Sequence, residues 1–110
     1  MPSYSRNEVV LVQFPFSDLT NAKVRPAVVV NDRHISRDLF LVPLTSKTLS
    51  LLPGEFILNN WVAAGLNSES AIKRAIFAIH ERLVLKSLGF ISDDDALELD
   101  KSIKFWLGLE

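Results

Sequence analysis

Two polar side chains stand at the ends of apolar runs, where folding could bring them together. Arg25 precedes the run Pro26–Val30 in the stretch VRPAVVV, and Thr45, followed by Ser46, leaves the run LFLVPL at Leu39–Leu44. A guanidinium offers a planar fork of donors and keeps its charge at physiological pH, and a threonine hydroxyl adds one more donor. Together they suit a phosphodiester, whose oxygens accept charge-assisted hydrogen bonds. If the two runs are antiparallel neighbours, the start of one lies beside the end of the other, and Arg25 meets Thr45. Lys23, Ser46 and Lys47 flank the pair in sequence, and Lys73 and Arg74 form a second basic point. Adjacent residues of a strand face opposite sides, so at most one of Lys73 and Arg74 enters such a site.

Other chemistries find little support. The glycines at 54, 65, 89 and 108 are too dispersed for a phosphate loop, and no HExxH, GxSxG or CxxC motif occurs. The chain has no cysteine, which removes disulfides, thiolate metal sites and cysteine nucleophiles. Its 2 histidines, His34 and His80, have no third ligand at a suitable spacing, so neither a metal nor a cofactor is expected. Nothing in the spacing brings these imidazoles together, and His80 fits the end of a strand. Plainer roles also exist for the basic and polar residues. Arg25 could be a rim cation paired with Asp18, Thr45 a turn cap, and Trp61 a core or interface residue rather than a base-stacking one.

The elements that must position these groups are short. With 110 residues, 48% of them hydrophobic, the sequence predicts one domain spanning 1–110. It contains no apolar run near membrane-spanning length and no leader-like start, so cytoplasmic residence without membrane contact is expected. The net charge of −1 is unevenly placed. Residues 1–90 hold 10 Lys/Arg against 7 Asp/Glu, a net of +3; residues 91–110 hold 2 against 6, a net of −4. Strands are predicted at 8–14 (EVVLVQF), 27–31, 39–44, 55–58 and about 72–79. Pro26 begins the second, and Pro43 marks the third as an edge or bulged strand. Pro15 and residues 17–21 form a loop, and Pro53-Gly54 a turn. Ser92 caps a terminal helix whose first turn carries Asp93, Asp94 and Asp95, with Ser92 and Asp95 spaced as a capping box. Ala96, Leu99, Ile103, Trp106 and Leu107 form its apolar face. Connections before Ser50 are too short for crossover helices, so the expected fold is mainly β: a small, partly open barrel closed by a C-terminal helix.

Several stretches in order, EVVLV at 8–12, FPFSDLT at 14–20, KVRPAVVV at 23–30, LVPLTS at 41–46 and IHERLVLKSLGFI at 79–91, resemble the MazF/PemK family of toxin endoribonucleases. The resemblance covers nearly the whole chain and implies an SH3-like, CcdB/PemK-like barrel, a homodimer, and a cognate antitoxin as partner. It implies metal-independent cleavage of single-stranded RNA by attack of the ribose 2′-hydroxyl, leaving 2′,3′-cyclic phosphate and 5′-hydroxyl ends. The family's catalytic arginine and threonine fall on Arg25 and Thr45. Ser17, Thr20, Lys23, Ser46, Lys47, Lys73 and Arg74 are then candidates for binding RNA. Where many members carry an acidic residue, this chain has Ser70-Ala71-Ile72-Lys73-Arg74. The alternative on the same barrel is a non-catalytic binder, either a CcdB-like gyrase-directed toxin or an inactive member that sequesters antitoxin.

Overall fold

An alternating run of β-branched residues forms a strand whose two faces carry different side chains. In the computed structural model of the chain, which describes residues 4–14 and 23–109, strand β1 spans Glu8–Phe14. Val9 belongs to one apolar cluster, with Val28, Val42, Leu44, Ile72 and Leu99. Val10, Val12 and Phe14 belong to a second, with Ala27, Val29, Leu41 and Ile79. The sheet is therefore covered on both faces.

Strand β2 runs Lys23–Val29, earlier than the expected 27–31. Its antiparallel pairing with β1 extends from Val9↔Val28 to Phe14↔Lys23 and holds the polar residues Lys23–Arg25 in extended form. Pro26 thus lies inside the strand, not at its start. The β2–β3 ladder stops at Ala27↔Pro43, so the missing N–H of Pro26 breaks no bond on that side.

The proline in β3, Asp38–Thr45, marks neither the edge strand nor the bulge expected of it, because β3 is paired on both sides and its register with β2 runs unshifted through Pro43. On one side β3 pairs with β2; on the other it pairs first with β5 (Phe77–His80) over Asp38–Leu41, then with β4 (Ala71–Ile72) at Leu44 and Thr45. Pro43 occupies the step between those two ladders, where a proline costs least. The single strand expected near 72–79 is thereby divided in two. The expected strand at 55–58 is reduced to one bridge, Ile57↔Ala71, flanked by the bonds Leu58 N–H to Ser70 O (2.9 Å) and Ile72 N–H to Phe56 O (2.8 Å).

After a 3-10 turn at Glu81–Leu83, β6 (Val84–Phe90) pairs antiparallel with β1 through two register shifts. The sheet order is β4-β3-β2-β1-β6 with β5 beside β3, and among the described residues no pairing joins β6 to β4 or β5. The result is a mainly antiparallel, open six-stranded sheet with one terminal helix, in keeping with the expected class.

Helix α1 spans Asp93–Leu107, and the Ser92 hydroxyl accepts the Asp95 N–H at 3.2 Å. Asp95 does not complete a reciprocal box. Its buried carboxylate accepts instead from the backbone N–H groups of Asn59 (2.9 Å) and Asn60 (3.2 Å). Leu99 is buried, and Ala96, Ile103 and Trp106 pack on the first cluster, but Leu107, expected on the same apolar face, is 56% exposed. Trp106 Nε1 donates to Pro53 O (3.0 Å) and Ser102 Oγ to Gly54 O (2.6 Å). Gly54 has φ +89°, and a Cβ there would lie 2.3 Å from the indole nitrogen, so this turn closes on the helix only with glycine.

Asp95 therefore ties the helix N-terminus to the 59–60 segment. Asp95→Ala should lower stability by roughly 2–3 kcal/mol, the scale of buried hydrogen bonds to a charged group. Urea denaturation tests this: a lower midpoint at unchanged m-value is expected, and an unmoved midpoint contradicts it.

Candidate functional site

The start of β2 and the end of β3 lie at the same end of the sheet because the strands are antiparallel neighbours. Continuing the register Val29↔Leu41, Val28↔Val42, Ala27↔Pro43 by two residues places Arg25 across from Thr45, beyond the last bonded pair. Cross-strand partners share a face, so both side chains project with those of Val12, Ala27 and Leu41. Both line one groove of about 710 Å³. Arg25 is exposed, and Thr45 is half-buried. The Thr45 hydroxyl accepts the backbone N–H of Lys47 at 3.1 Å. The turn-capping role is thus real, and it leaves the hydroxyl proton available to a ligand in the groove.

Lys23, Ser46, Lys47 and Lys73 line the same groove. Arg74 does not. It follows Lys73 just beyond β4, and its backbone N–H is drawn to Glu55 Oε2 at 2.8 Å, so only one of the two adjacent cations joins the site. Ser17, Thr20 and Asp18 lie outside the described residues.

The groove also contains residues that sequence reasoning missed. Lys86 arrives from β6, whose pairing Leu11↔Lys86 lays it beside β1. No spacing in the sequence signals this, because β6 has no clear alternation of buried and exposed residues. Asn67, Ser68 and Ser70 come from the connection that precedes β4, and Phe77 from β5. Phe77 is held edge-on by Phe14, with ring centroids 5.5 Å apart and planes at 64°.

Five cations therefore line the groove, Lys23, Arg25, Lys47, Lys73 and Lys86, and no Asp, Glu or His does so among the described residues. One sign of charge along a cleft raises the local concentration of a polyanion and speeds its capture. Hydroxyls and an amide beside the cations add directional donors. The histidines stand elsewhere. His80 ends β5, and its Nδ1 accepts the Arg82 N–H (3.1 Å); His34 Nδ1 accepts the Ser36 N–H (3.0 Å) in the loop before β3. Trp61 packs against the first apolar cluster.

Glu55 supports the groove from behind. Its two oxygens accept the N–H groups of Leu52 (2.7 Å) and Arg74 (2.8 Å). Burial pushes its pKa up, but the backbone bonds from Arg74 and Leu52 and the charges of Lys73 and Arg74 outweigh burial and hold it below the ordinary glutamate value.

The sequence model of the PemK-like, MazF-like toxin of type II toxin-antitoxin systems matches residues 5–107. No curated protein matches the chain. Among solved structures, an endoribonuclease in complex with its cognate antitoxin from a Mycobacterial species superposes with TM-score 0.77 at 15% identity, covering 98% of both chains. An endoribonuclease from a Mycobacterial species gives 0.75 at 17% identity, over 98% of this chain and 94% of the other. The Mycobacterium tuberculosis toxin MazF-mt6 gives 0.73 at 18%, over 94% and 98%. At such identities the likeness is one of fold.

A carboxylate held below its ordinary pKa stabilises the fold above the ordinary glutamate range and loses that contribution as pH falls through the lowered value. Glu55→Gln should therefore melt earlier than the wild type at neutral pH, with the difference shrinking in acid. Melting temperatures across a pH series test this, and a difference independent of pH contradicts it.

Proposed function

The chain belongs to the PemK-like, MazF-like toxin family of type II toxin-antitoxin systems, and on that footing we propose that it cuts single-stranded RNA in the groove between Arg25 and Thr45. The observation that carries this reading is the meeting of these two side chains at one end of the sheet, within a groove lined by five cations. A single-stranded polyanion fits such a groove, and its phosphates supply acceptors for the guanidinium and the hydroxyl.

In the reaction the 2′ oxygen attacks the adjacent phosphorus and gives up its proton. The P–O5′ bond breaks, and the departing 5′ oxygen takes a proton. The products are a 2′,3′-cyclic phosphate and a 5′-hydroxyl. Negative charge builds on the non-bridging oxygens as the five-coordinate phosphorus forms. Arg25, projecting from β2 into the groove, stabilises that charge by donating to those oxygens. Thr45, held through its bond from Lys47, donates to one of the same oxygens. Lys23, Lys47, Lys73 and Lys86 hold the phosphates on either side. DNA lacks the attacking hydroxyl and is not cut. The protein works as a homodimer in the cytoplasm, restrained by a cognate antitoxin, and needs no metal.

Mixed-sequence RNA incubated with the purified protein and EDTA should yield fragments ending in cyclic phosphate. Arg25→Ala should slow this by about 100-fold or more, the scale of losing a transition-state donor. Its melting temperature should hardly move, because Arg25 is exposed. RNA left intact by the wild type would instead mark a binding protein built on the same sheet.

A further inference from the structure

The groove has two kinds of wall. Cations mark the wall formed by β2, the turn after β3, the segment after β4, and β6; the connection at 65–70 contributes none. That connection supplies Gly65, Leu66, Asn67, Ser68 and Ser70 to the lining. Phosphate contacts hold a nucleic acid in place, whereas sequence is read by neutral donors and acceptors that meet base edges. The segment at 65–70 has the chemistry for the second task.

It is also held still. The N–H groups of Gly65 and Leu66 donate to Val62 O (3.0 Å) and Trp61 O (3.2 Å), and Leu66 packs against the first apolar cluster. Gly65 has φ +82°, and a Cβ there would lie 2.0 Å from the backbone oxygen of Leu88, so the segment is pressed onto β6 where only glycine fits. At its other end Ser70 Oγ donates to Ser68 O (3.0 Å), and Ser70 O accepts the Leu58 N–H (2.9 Å). Between these anchors Asn67 and Ser68 are exposed, and the Asn67 amide makes no hydrogen bond to any described residue. An amide oxygen and an amide NH2 on a fixed backbone form a donor–acceptor pair matched to the edge of an unpaired base.

We infer that Asn67, supported by Ser68, reads a base beside the scissile phosphate and so contributes to the choice of cleavage site. The inference rests on the proposed RNA substrate but not on catalysis. Asn67 recognises and the lysines hold, so altering them should have different consequences.

The test uses binding, so that it stands apart from cleavage. A randomised 2′-O-methyl RNA pool, which lacks the attacking hydroxyl, is bound to the full-length protein and the retained sequences are determined. The wild type should enrich a motif. Asn67→Ala should relax that motif at one position by roughly 5- to 150-fold, the range for a bidentate contact to a base. Lys86→Ala should weaken retention while leaving the motif intact. An Asn67→Ala motif identical to that of the wild type, or a wild type that retains the pool without preference, overturns the inference. A wild type that enriches a motif but leaves ordinary RNA uncut overturns only the proposed activity.

Discussion

The antiparallel register between β2 and β3 is the constraint on which the site depends. Arg25 and Thr45 are 20 positions apart in the chain. They share a face and an end of the sheet only because Ala27 pairs with Pro43. A slip of one residue would turn one of the two side chains to the opposite face. The apolar clusters make such a slip costly. Val28 and Val42 fill one cluster while Ala27, Val29 and Leu41 fill the other, so the slip would exchange both sets at once. The hydrophobic core thereby fixes the geometry of a site whose lining includes two of its own members, Phe14 and Leu44.

The two prolines in this strand pair belong to the same arrangement. Pro26 lies one residue beyond the last β2–β3 partner, and Pro43 lies where β3 exchanges β5 for β4. Each removes a donor at a place where the ladder is already interrupted. The β2–β3 pairing therefore ends beside the groove, and Arg25 and Thr45 stand beyond the bonded ladder, where a ligand can enter between them. Concentrating five cations there raises their mutual repulsion, which exposure to solvent keeps small. The acidic residues are kept mostly to the other elements. Asp93, Asp94 and Asp95 serve the helix N-terminus, and Asp95 is spent on the Asn59 and Asn60 amides.

Long connections do as much positioning as strands. The segment from Leu52 to Ser70 contains no named strand, yet a few polar contacts pin it: Trp106 to Pro53, Ser102 to Gly54, and Asp95 to the amides of residues 59 and 60. Helix α1 is thus a strut for the loop that forms one wall of the groove.

Local pattern was enough to identify β1, the core of β3 and the capped helix, because alternation and capping are short-range and leave a direct trace in residue type. The basic and hydroxyl character of Arg25, Thr45, Lys23, Ser46, Lys47 and Lys73 was equally legible. The extent of β2, the division of β4 from β5, the loss of the 55–58 strand and the existence of β6 were not, since each depends on which neighbour is available for hydrogen bonding. Lys86 and Asn67 illustrate the difference. Nothing near them in the chain distinguishes them from other solvent-facing polar residues; Lys86 joins the groove through its pairing with Leu11, and Asn67 through the packing of Gly65 on Leu88. The amino-acid sequence alone determined the kinds of side chain available and the periodic segments that bury. Tertiary structure decided which of those side chains share one cavity, because that choice is made by contacts between residues far apart in the chain.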